Sequence, residues 1–550
     1  MTKPVHPAPV GDWPLKGSLI NACGDRWHGQ AMGNLCFSPD GAVFDGRSAR
    51  FEIRQVDDLF ARGDFTLSAD IRIDSAEAES IGDLATKFDP LTRTGFNWSI
   101  MDHGGVTSAS SNYRNLSFCF DAGSAPQWSD CGRPGNALHI CALTVHLGRL
   151  YAATFEHGDG EIGRVFRYAG NQRWEDSGVP CKANSVFSLA SIDDVLYAAS
   201  GRYDPRNSAL NDTGNMNEET RIWRMDDSEK WQDCGSPRPE GDDLYMLGIY
   251  RGRMYAAPSF SRGLYRYEHG QRWTVCAESY PRLLALCQWR GHLYGGSNKA
   301  LRTLGPPPQR EIRFTMLPDA DGVYRYDDTT DAWTGCGPIP TETQMYAFCV
   351  HRGSIFTGTW PSARVFRSTS GIGWRDCGNL HPDEKEVMAM CVYNGMMYAG
   401  TLPGADIYRY DGGERWTQVG NVDSTPNVKY RRAWSMAVHD GTLFVGALPS
   451  GRVHAMRTGV AATDSAQMPN DGAWHRVTAV REGATARIYL DGQIRAESAA
   501  AKSSNFDLIN SLPLQIGFGS HDFFRGKMAN LRLYDCALSS RQIGQMDRQR

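Results

Sequence analysis

The sequence predicts an all-β protein: a seven-bladed β-propeller inserted into a β-sandwich domain. Three observations predict it. A Trp-centred phrase returns seven times through the middle of the chain. Each copy is followed by the same order of apolar runs and Gly turns. Both flanks lack the repeat but alternate polar and apolar residues. The divisions read as 1–125 for the first half of the sandwich, 126–459 for the propeller and 460–550 for the second half.

In the first flank, Phe65-Thr-Leu-Ser-Ala-Asp-Ile-Arg-Ile73, Leu84-Ala-Thr-Lys-Phe88, Phe96-Asn-Trp-Ser-Ile100 and Leu116-Ser-Phe-Cys-Phe120 have the period of two expected of strands with one buried face. The repeat then begins. Its phrase reads Trp128-Ser-Asp-Cys-Gly132, Trp174-Glu-Asp-Ser-Gly178, Trp231-Gln-Asp-Cys-Gly235 and Trp273-Thr-Val-Cys276, then Trp333-Thr-Gly-Cys-Gly337, Trp374-Arg-Asp-Cys-Gly378 and Trp416-Thr-Gln-Val-Gly420. Successive tryptophans lie 46, 57, 42, 60, 41 and 42 residues apart, the period of propeller blades.

One copy shows how a blade is written. Val387-Met-Ala-Met-Cys-Val-Tyr393 is an apolar innermost strand, and Asn394-Gly395 turns it because both residues tolerate positive φ. Met397-Tyr-Ala-Gly-Thr401 is a second strand whose small residues let the next blade approach. Asp406-Ile-Tyr-Arg-Tyr-Asp411 is an alternating third strand, and Arg415-Trp-Thr-Gln418 is the outer one. The first Trp phrase has no inner strands before it, and the last copy ends at Gly451-Arg-Val-His-Ala-Met456 without a Trp phrase. Residues around Trp128 therefore complete the last blade, which pairs both edges and brings the two ends of the insertion together.

The second flank carries Trp474-His-Arg-Val-Thr-Ala-Val480, Ala486-Arg-Ile-Tyr-Leu-Asp-Gly492, Leu514-Gln-Ile-Gly517 and Gly526-Lys-Met-Ala-Asn-Leu-Arg-Leu-Tyr534, followed by Ala537-Leu-Ser-Ser-Arg-Gln-Ile543. Together with Phe44-Asp-Gly46, these segments resemble the concanavalin-A-like, laminin-G-like jelly roll, and the inserted repeats are kelch-like. The resemblance implies two antiparallel sheets, often with a glycan- or protein-binding face and sometimes a rim calcium. No acidic run here specifies that calcium, and no other cofactor or metal is expected. A sandwich that only supports the propeller is the even alternative.

Composition narrows the function. A hydrophobic content of 41 % over 550 residues suffices for two large cores. A net charge of −4 argues against nucleic acid as the main partner, and no apolar run approaches a membrane span. Met1-Thr-Lys-Pro-Val-His-Pro-Ala-Pro-Val10 has no signal-peptide core, so a cytoplasmic location is expected unless a leader has been removed. Cysteines recur in outer strands (Cys131, Cys234, Cys276, Cys336, Cys377) and inner strands (Cys141, Cys287, Cys349, Cys391). Three strand spacings, about 14 Å, separate the two sets, so they read as reduced packing residues.

No zinc, phosphate-loop or nucleophile-elbow motif is present. Function is expected on the face that carries the loops into the innermost strands and out of the second strands. Two of those loops are long, 200–220 and 297–322; they either shape a pocket or dock onto the sandwich or a second subunit. The face gathers Tyr, Trp, Arg and carboxylates, groups suited to a sugar. Three functions follow. A carbohydrate-recognising protein would bind through Glu156, Asp204, Asp243, Trp360, Glu386 and Arg432. A polysaccharide lyase would use His157, Tyr203, Tyr245 or Tyr430 as base and Arg202, Arg282, Arg431 or Arg432 to neutralise a uronate. A glycoside hydrolase would need two facing carboxylates, from Glu156, Asp204, Asp243 and Glu386. A protein-interaction scaffold is the remaining alternative. A glycan is the expected partner, and a homo-oligomer is left open.

Overall fold

The computed structural model describes residues 7–56, 60, 63–74, 82–103, 110–179, 181–204, 215–238, 244–278, 281–304, 312–316, 322–500 and 506–548. Both flanks build one sandwich. One sheet runs in the order Cys36–Ser38, Gly41–Asp45, Arg525–Tyr534, Phe65–Arg72, Trp474–Glu482, Thr485–Leu490 and Gln493–Ala499, with Gly11–Trp13 paired on Arg525–Tyr534. The other runs Gly29–Met32, Arg50–Ile53, Leu514–Ile516, Gly82–Asp89, Thr94–His103, Asn112–Ala122 and Val460–Gln467. Each sheet therefore interleaves strands from before and after the insertion. Phe65, Leu67, Phe96, Trp98, Phe118, Val477, Ile488 and Leu531 fill the core between them. The alternation read from the sequence places these side chains on the inner faces.

Between Gln127 and Arg457 the chain folds into successive antiparallel sheets of four strands, ordered from the innermost strand outward. The first comprises Ala137–His146, Arg149–Glu156, Val165–Tyr168 and Trp174–Asp176; the second, Ser185–Ile192, Val195–Gly201, Arg221–Met225 and Trp231–Asp233. A single pair, Phe155 with Ser185, joins these two. The third is Tyr245–Tyr250, Arg253–Pro258, Leu264–His269 and Arg272–Ala277; the fourth, Leu283–Trp289, His292–Ser297, Val323–Asp327 and Ala332–Gly335. The fifth is Gln344–His351, Ser354–Trp360, Arg364–Ser368 and Arg375–Asn379, and the sixth Glu386–Tyr393, Met396–Leu402, Asp406–Gly412 and Arg415–Asn421. The last begins with Arg432–His439, Thr442–Leu448 and Val453–Arg457. Gln127–Asp130 completes it, with Trp128 opposite Met456. Both ends of the array thus meet in one sheet.

In five of its copies the Trp phrase binds its sheet to the preceding one. Trp174, Trp231, Trp273 and Trp416 each donate an indole N–H to an outer-strand carbonyl of the preceding sheet: Cys131, Ser177, Cys234 and Cys377, at 2.8–2.9 Å. Trp128 closes the ring in the same way, donating to the Val419 carbonyl at 2.8 Å. Two residues on, Asp130, Asp176, Asp233 and Asp376 accept from the backbone N–H of the following Gly, which fixes the turn. The cysteines of the phrase are free and buried, as packing residues.

The turns between first and second strands all point to one face, and the sandwich covers that face. The Val145 N–H donates to the Ser111 carbonyl at 2.9 Å, and Asp193 N–H to Gln467 Oε1 at 3.2 Å. Trp289 Nε1 donates to Asp522 Oδ2 at 2.7 Å. Arg352 and Gly353 donate backbone N–H groups to the Ser520 and His521 carbonyls, each at 3.1 Å. Asn112 exchanges two hydrogen bonds with Val438, at 2.7 and 2.8 Å. Among the described residues no hydrogen bond joins the sandwich to the opposite face, which carries the loops singled out in the sequence. Among the described residues no helix is long and apolar enough to cross a membrane.

Candidate functional site

The open face is shaped by an irregularity repeated in the innermost strands. In six of the sheets the pairing of first and second strands slips by one residue just inside the face: Ile140/Ala142, Val186/Ser188, Leu283/Ala285, Met345/Ala347, Val387/Ala389 and Ala433/Ser435. Each slip is a β-bulge, which turns the extra residue out of the regular alternation. The extra residues are Cys141, Phe187, Leu284, Tyr346, Met388 and Trp434. All but Leu284 meet in one cluster with Phe155, Tyr203, Leu244, Leu402 and Tyr430. Strands from different sheets thereby place their bulged side chains together, as an apolar and aromatic floor.

The residue two before each bulge is polar: His139, Ser185, Arg282, Gln344, Glu386 and Arg432. The His139 ring packs edge-on to Trp434, with centroids 4.4 Å apart, and lies 5.1 Å from Tyr203. Arg432 stands 5.3 Å from the Trp434 ring and pairs with Glu386 at 3.7 Å. Burial raises the Glu386 carboxyl above the usual range, while Arg432 and a Tyr346 hydrogen bond hold it down. Tyr346 is pushed well above the usual phenol value by burial and then by Glu386. His139, fully buried, is held well below the ordinary imidazole value by burial and then by the charge of Arg432, so it is neutral at neutral pH.

Three of these residues bury a polar atom with no hydrogen-bond partner among the described residues: His139 Nε2, Gln344 Oε1 and Arg432 Nε. Such atoms cost free energy unless something satisfies them.

Of the residues expected from the sequence, Tyr203, Tyr430, Glu386 and Arg432 come together here, all within the electrostatic reach of Arg432. Arg282 acts electrostatically on Tyr346 in the same cluster, while its own Nε donates to the Ser259 carbonyl at 2.6 Å. The rest are placed as follows. Tyr245 is fully buried in the core shared by the second and third sheets, beside Leu247 and Tyr265. The third inner strand has no bulge, so pairing Tyr245 with Pro258 keeps it in regular alternation, and Leu244 joins the floor in its place. Arg202 is engaged by Glu218 at 3.0 Å, and Arg431 Nε by the Thr425 carbonyl at 2.7 Å. Glu156 is buried with its charge within reach of Cys141, accepts from Thr154 Oγ1 at 2.8 Å and is pushed up to about 7 by burial. Asp204 is buried; His157, just after the second strand of the first sheet, and Trp360, ending the second strand of the fifth, are half-buried. Asp243 lies outside the described residues. No three His, Cys, Asp or Glu side chains gather as metal ligands would, among the described residues.

The long loops do not dock onto the sandwich in their described parts. Asn215 donates to the carbonyls of Glu156, Gly158 and Glu161 at 2.8–3.0 Å, pinning the first long loop to the neighbouring sheet. The second contains a hairpin, Ala300–Leu304 with Ile312–Met316.

Residues 414–544 match the concanavalin A-like lectin/glucanases superfamily, a laminin-G type. No curated protein matches the chain. Among solved structures the chain is similar to the virginiamycin B lyase of Staphylococcus aureus, at 10 % identity and TM-score 0.42, covering 60 % of this chain and 99 % of that one. It is similar to the WD40 β-propeller domain of Doa1, at 10 % identity and TM-score 0.36, covering 60 % and 97 %. It is also similar to a gluconolactonase from Xanthomonas campestris, at 11 % identity and TM-score 0.34, covering 62 % and 98 %. The molecule is all-β, a propeller carried by a concanavalin A-like sandwich.

Proposed function

We propose that the protein recognises a glycan on the open face of a seven-bladed, kelch-like propeller, at the mouth formed by His139, Tyr346, Glu386, Arg432 and Trp434. One observation carries this reading: His139 and Arg432 bury unpartnered atoms against Trp434 of the aromatic floor, and Gln344 buries one at the matching strand position. A pyranose offers an apolar ring face to stack on such a floor and hydroxyls to satisfy such atoms. Arg432 and Arg282 favour an acidic sugar, whose carboxylate matches a guanidinium. The concanavalin A-like sandwich suits the same class of ligand. A cytoplasmic location belongs to this reading, supported by free cysteines that are mostly buried.

A polysaccharide lyase is the second reading, favoured by the neutrality of His139. In the tautomer with its proton on Nδ1, the unpartnered Nε2 is a proton acceptor beside Arg432, the group that would face a uronate.

The test is to pass the protein over immobilised uronate-containing and neutral polysaccharides, following the ultraviolet absorbance of unsaturated uronates and the reducing ends released. Retention on an acidic polysaccharide, lost in Arg432→Gln, is the expected result. A rise in both signals would add lyase activity, and reducing ends alone would indicate hydrolysis. No retention on any polysaccharide overturns the proposal and leaves a protein partner as the alternative.

A further inference from the structure

A second cleft lies on the other side of the propeller, at its seam with the sandwich. It has a volume of about 670 Å³ and is lined by both domains: Leu147 and Asp440 from two propeller turns, and Thr463, Asp464, Ile494 and Arg495 from the sandwich. The sandwich residues come from Val460–Gln467 and Gln493–Ala499, the last strand of each sheet.

The strand Val460–Gln467 breaks its pairing here. Thr463 pairs with Ser117 and Gln467 with Asn115, so residues 464–466 stand opposite Leu116 alone. This bulge is held by the Ala466 N–H, which donates to Asp464 Oδ1 at 2.9 Å. Thr463, only 4 % exposed, lines the cleft with a hydroxyl that has no hydrogen-bond partner among the described residues. Asp464, 5 % exposed, accepts from Arg495 Nε at 2.9 Å, and Arg495 makes no other hydrogen bond among the described residues. Leu147 and Ile494, 54 % and 50 % exposed, are two of the eight large apolar side chains exposed on the described surface, and both line this cleft.

We propose that this seam cleft is a carbohydrate-binding site for a neutral oligosaccharide. A carboxylate, a guanidinium with N–H groups to spare and a buried hydroxyl supply the mixed acceptors and donors that vicinal sugar hydroxyls require, and the two aliphatic side chains cover the C–H faces. The volume is in the range of small-ligand sites. An extended peptide would engage the backbone of the outer strand and leave the Thr463 hydroxyl unsatisfied. The paired charges of Asp464 and Arg495 do not call for an ionic ligand. The site stands independently of the open-face reading, from which the body of the propeller separates it.

Titration calorimetry of the full chain with cellohexaose, maltohexaose and xylohexaose tests it. At least one should bind saturably, with affinity about tenfold lower in Thr463→Val and in Arg495→Gln. Failure of all three sugars to bind, or indifference to both seam substitutions, overturns the proposal. Failure at the open face alone leaves it standing. Thr463→Val should melt at or above the wild-type temperature, because it removes a buried hydroxyl that lacks a partner. A lower melting temperature would show that the hydroxyl is satisfied within the protein and would count against the site.

Discussion

Arg432 and Glu386 are the pair on which the open face turns. Their side chains are 11 % and 4 % exposed and 3.7 Å apart, so neither charge is well hydrated without the other. Arg432→Gln should cost about 3 kcal/mol at pH 8, the usual range for removing one partner of a buried pair. The cost should shrink at pH 5. Burial already raises the Glu386 carboxyl, and losing Arg432 raises it further, so the protonated acid is tolerated at low pH and the penalty grows as pH rises. Urea denaturation of variant and wild type at both pH values checks the sign. Tyr430, Glu386 and Arg432 were legible in the sequence because they stand at the entries to inner strands, and Tyr203 because it opens a long loop after a second strand. His139, Phe187 and Trp434 were not, because a bulge shifts the period-two alternation by one and hides which side chain faces the axis. The recoverable signal was the aligned starts of the inner strands, His139-Ile-Cys-Ala-Leu143, Glu386-Val-Met-Ala-Met390 and Arg432-Ala-Trp-Ser-Met436, which share a polar first and an apolar third position.

Each Trp phrase acts as a complete outer strand. Trp416 packs on Tyr410, with ring centroids 4.9 Å apart, and reaches back to the Cys377 carbonyl at 2.9 Å. Trp416→Phe keeps an aromatic ring but removes the donor. A loss of about 1 kcal/mol in a urea unfolding series is expected, with larger losses in Trp416→Ala. Most strands could be read from their periods, since one face of each is buried. The segment Ala537–Ile543 could not be assigned by alternation: Ser540–Asp547 is a helix. Its start is nevertheless encoded, because Ser539 and Gln542 form a capping box, each side chain bonding the other's backbone N–H. The short strands Gly29–Met32 and Cys36–Ser38 were missed because exposed edge strands bury too little to leave a pattern.

The molecule is organised as one propeller with one face plugged by its host sandwich, and the seam is sealed around ionisable groups. His351 Nδ1 donates to the Ser520 carbonyl at 2.6 Å, and burial, with the charge of Arg352, pushes its imidazole down to about 3. His103, stacked on His521 with centroids 5.5 Å apart, is likewise pushed down to about 3 by burial. Asp522 is pushed up to about 6 by burial and acts in the opposite sense. A histidine kept neutral in the fold binds its proton only after unfolding, so its stabilisation is complete above about pH 6.5 and is lost as pH falls toward 3. His351→Gln keeps a donor for Ser520 and removes that titration. The stability advantage of wild type over this variant should therefore narrow between pH 7 and pH 4.5, as read by denaturant unfolding. Insertion of one domain within another was legible because the repeats stop at both ends. Which face the sandwich covers was not, because the seam rests on single turn residues such as Trp289, Arg352 and Asn112, whose roles depend on distant partners.

Hydrogen exchange of the full chain, with and without a saturating acidic oligosaccharide, addresses the central claim most directly. Protection should rise at the starts of the inner strands, around His139–Cys141, Glu386–Met388 and Arg432–Trp434, and these changes should vanish in Arg432→Gln. Unchanged exchange at all three starts, with saturation shown independently, would contradict a glycan site on the open face.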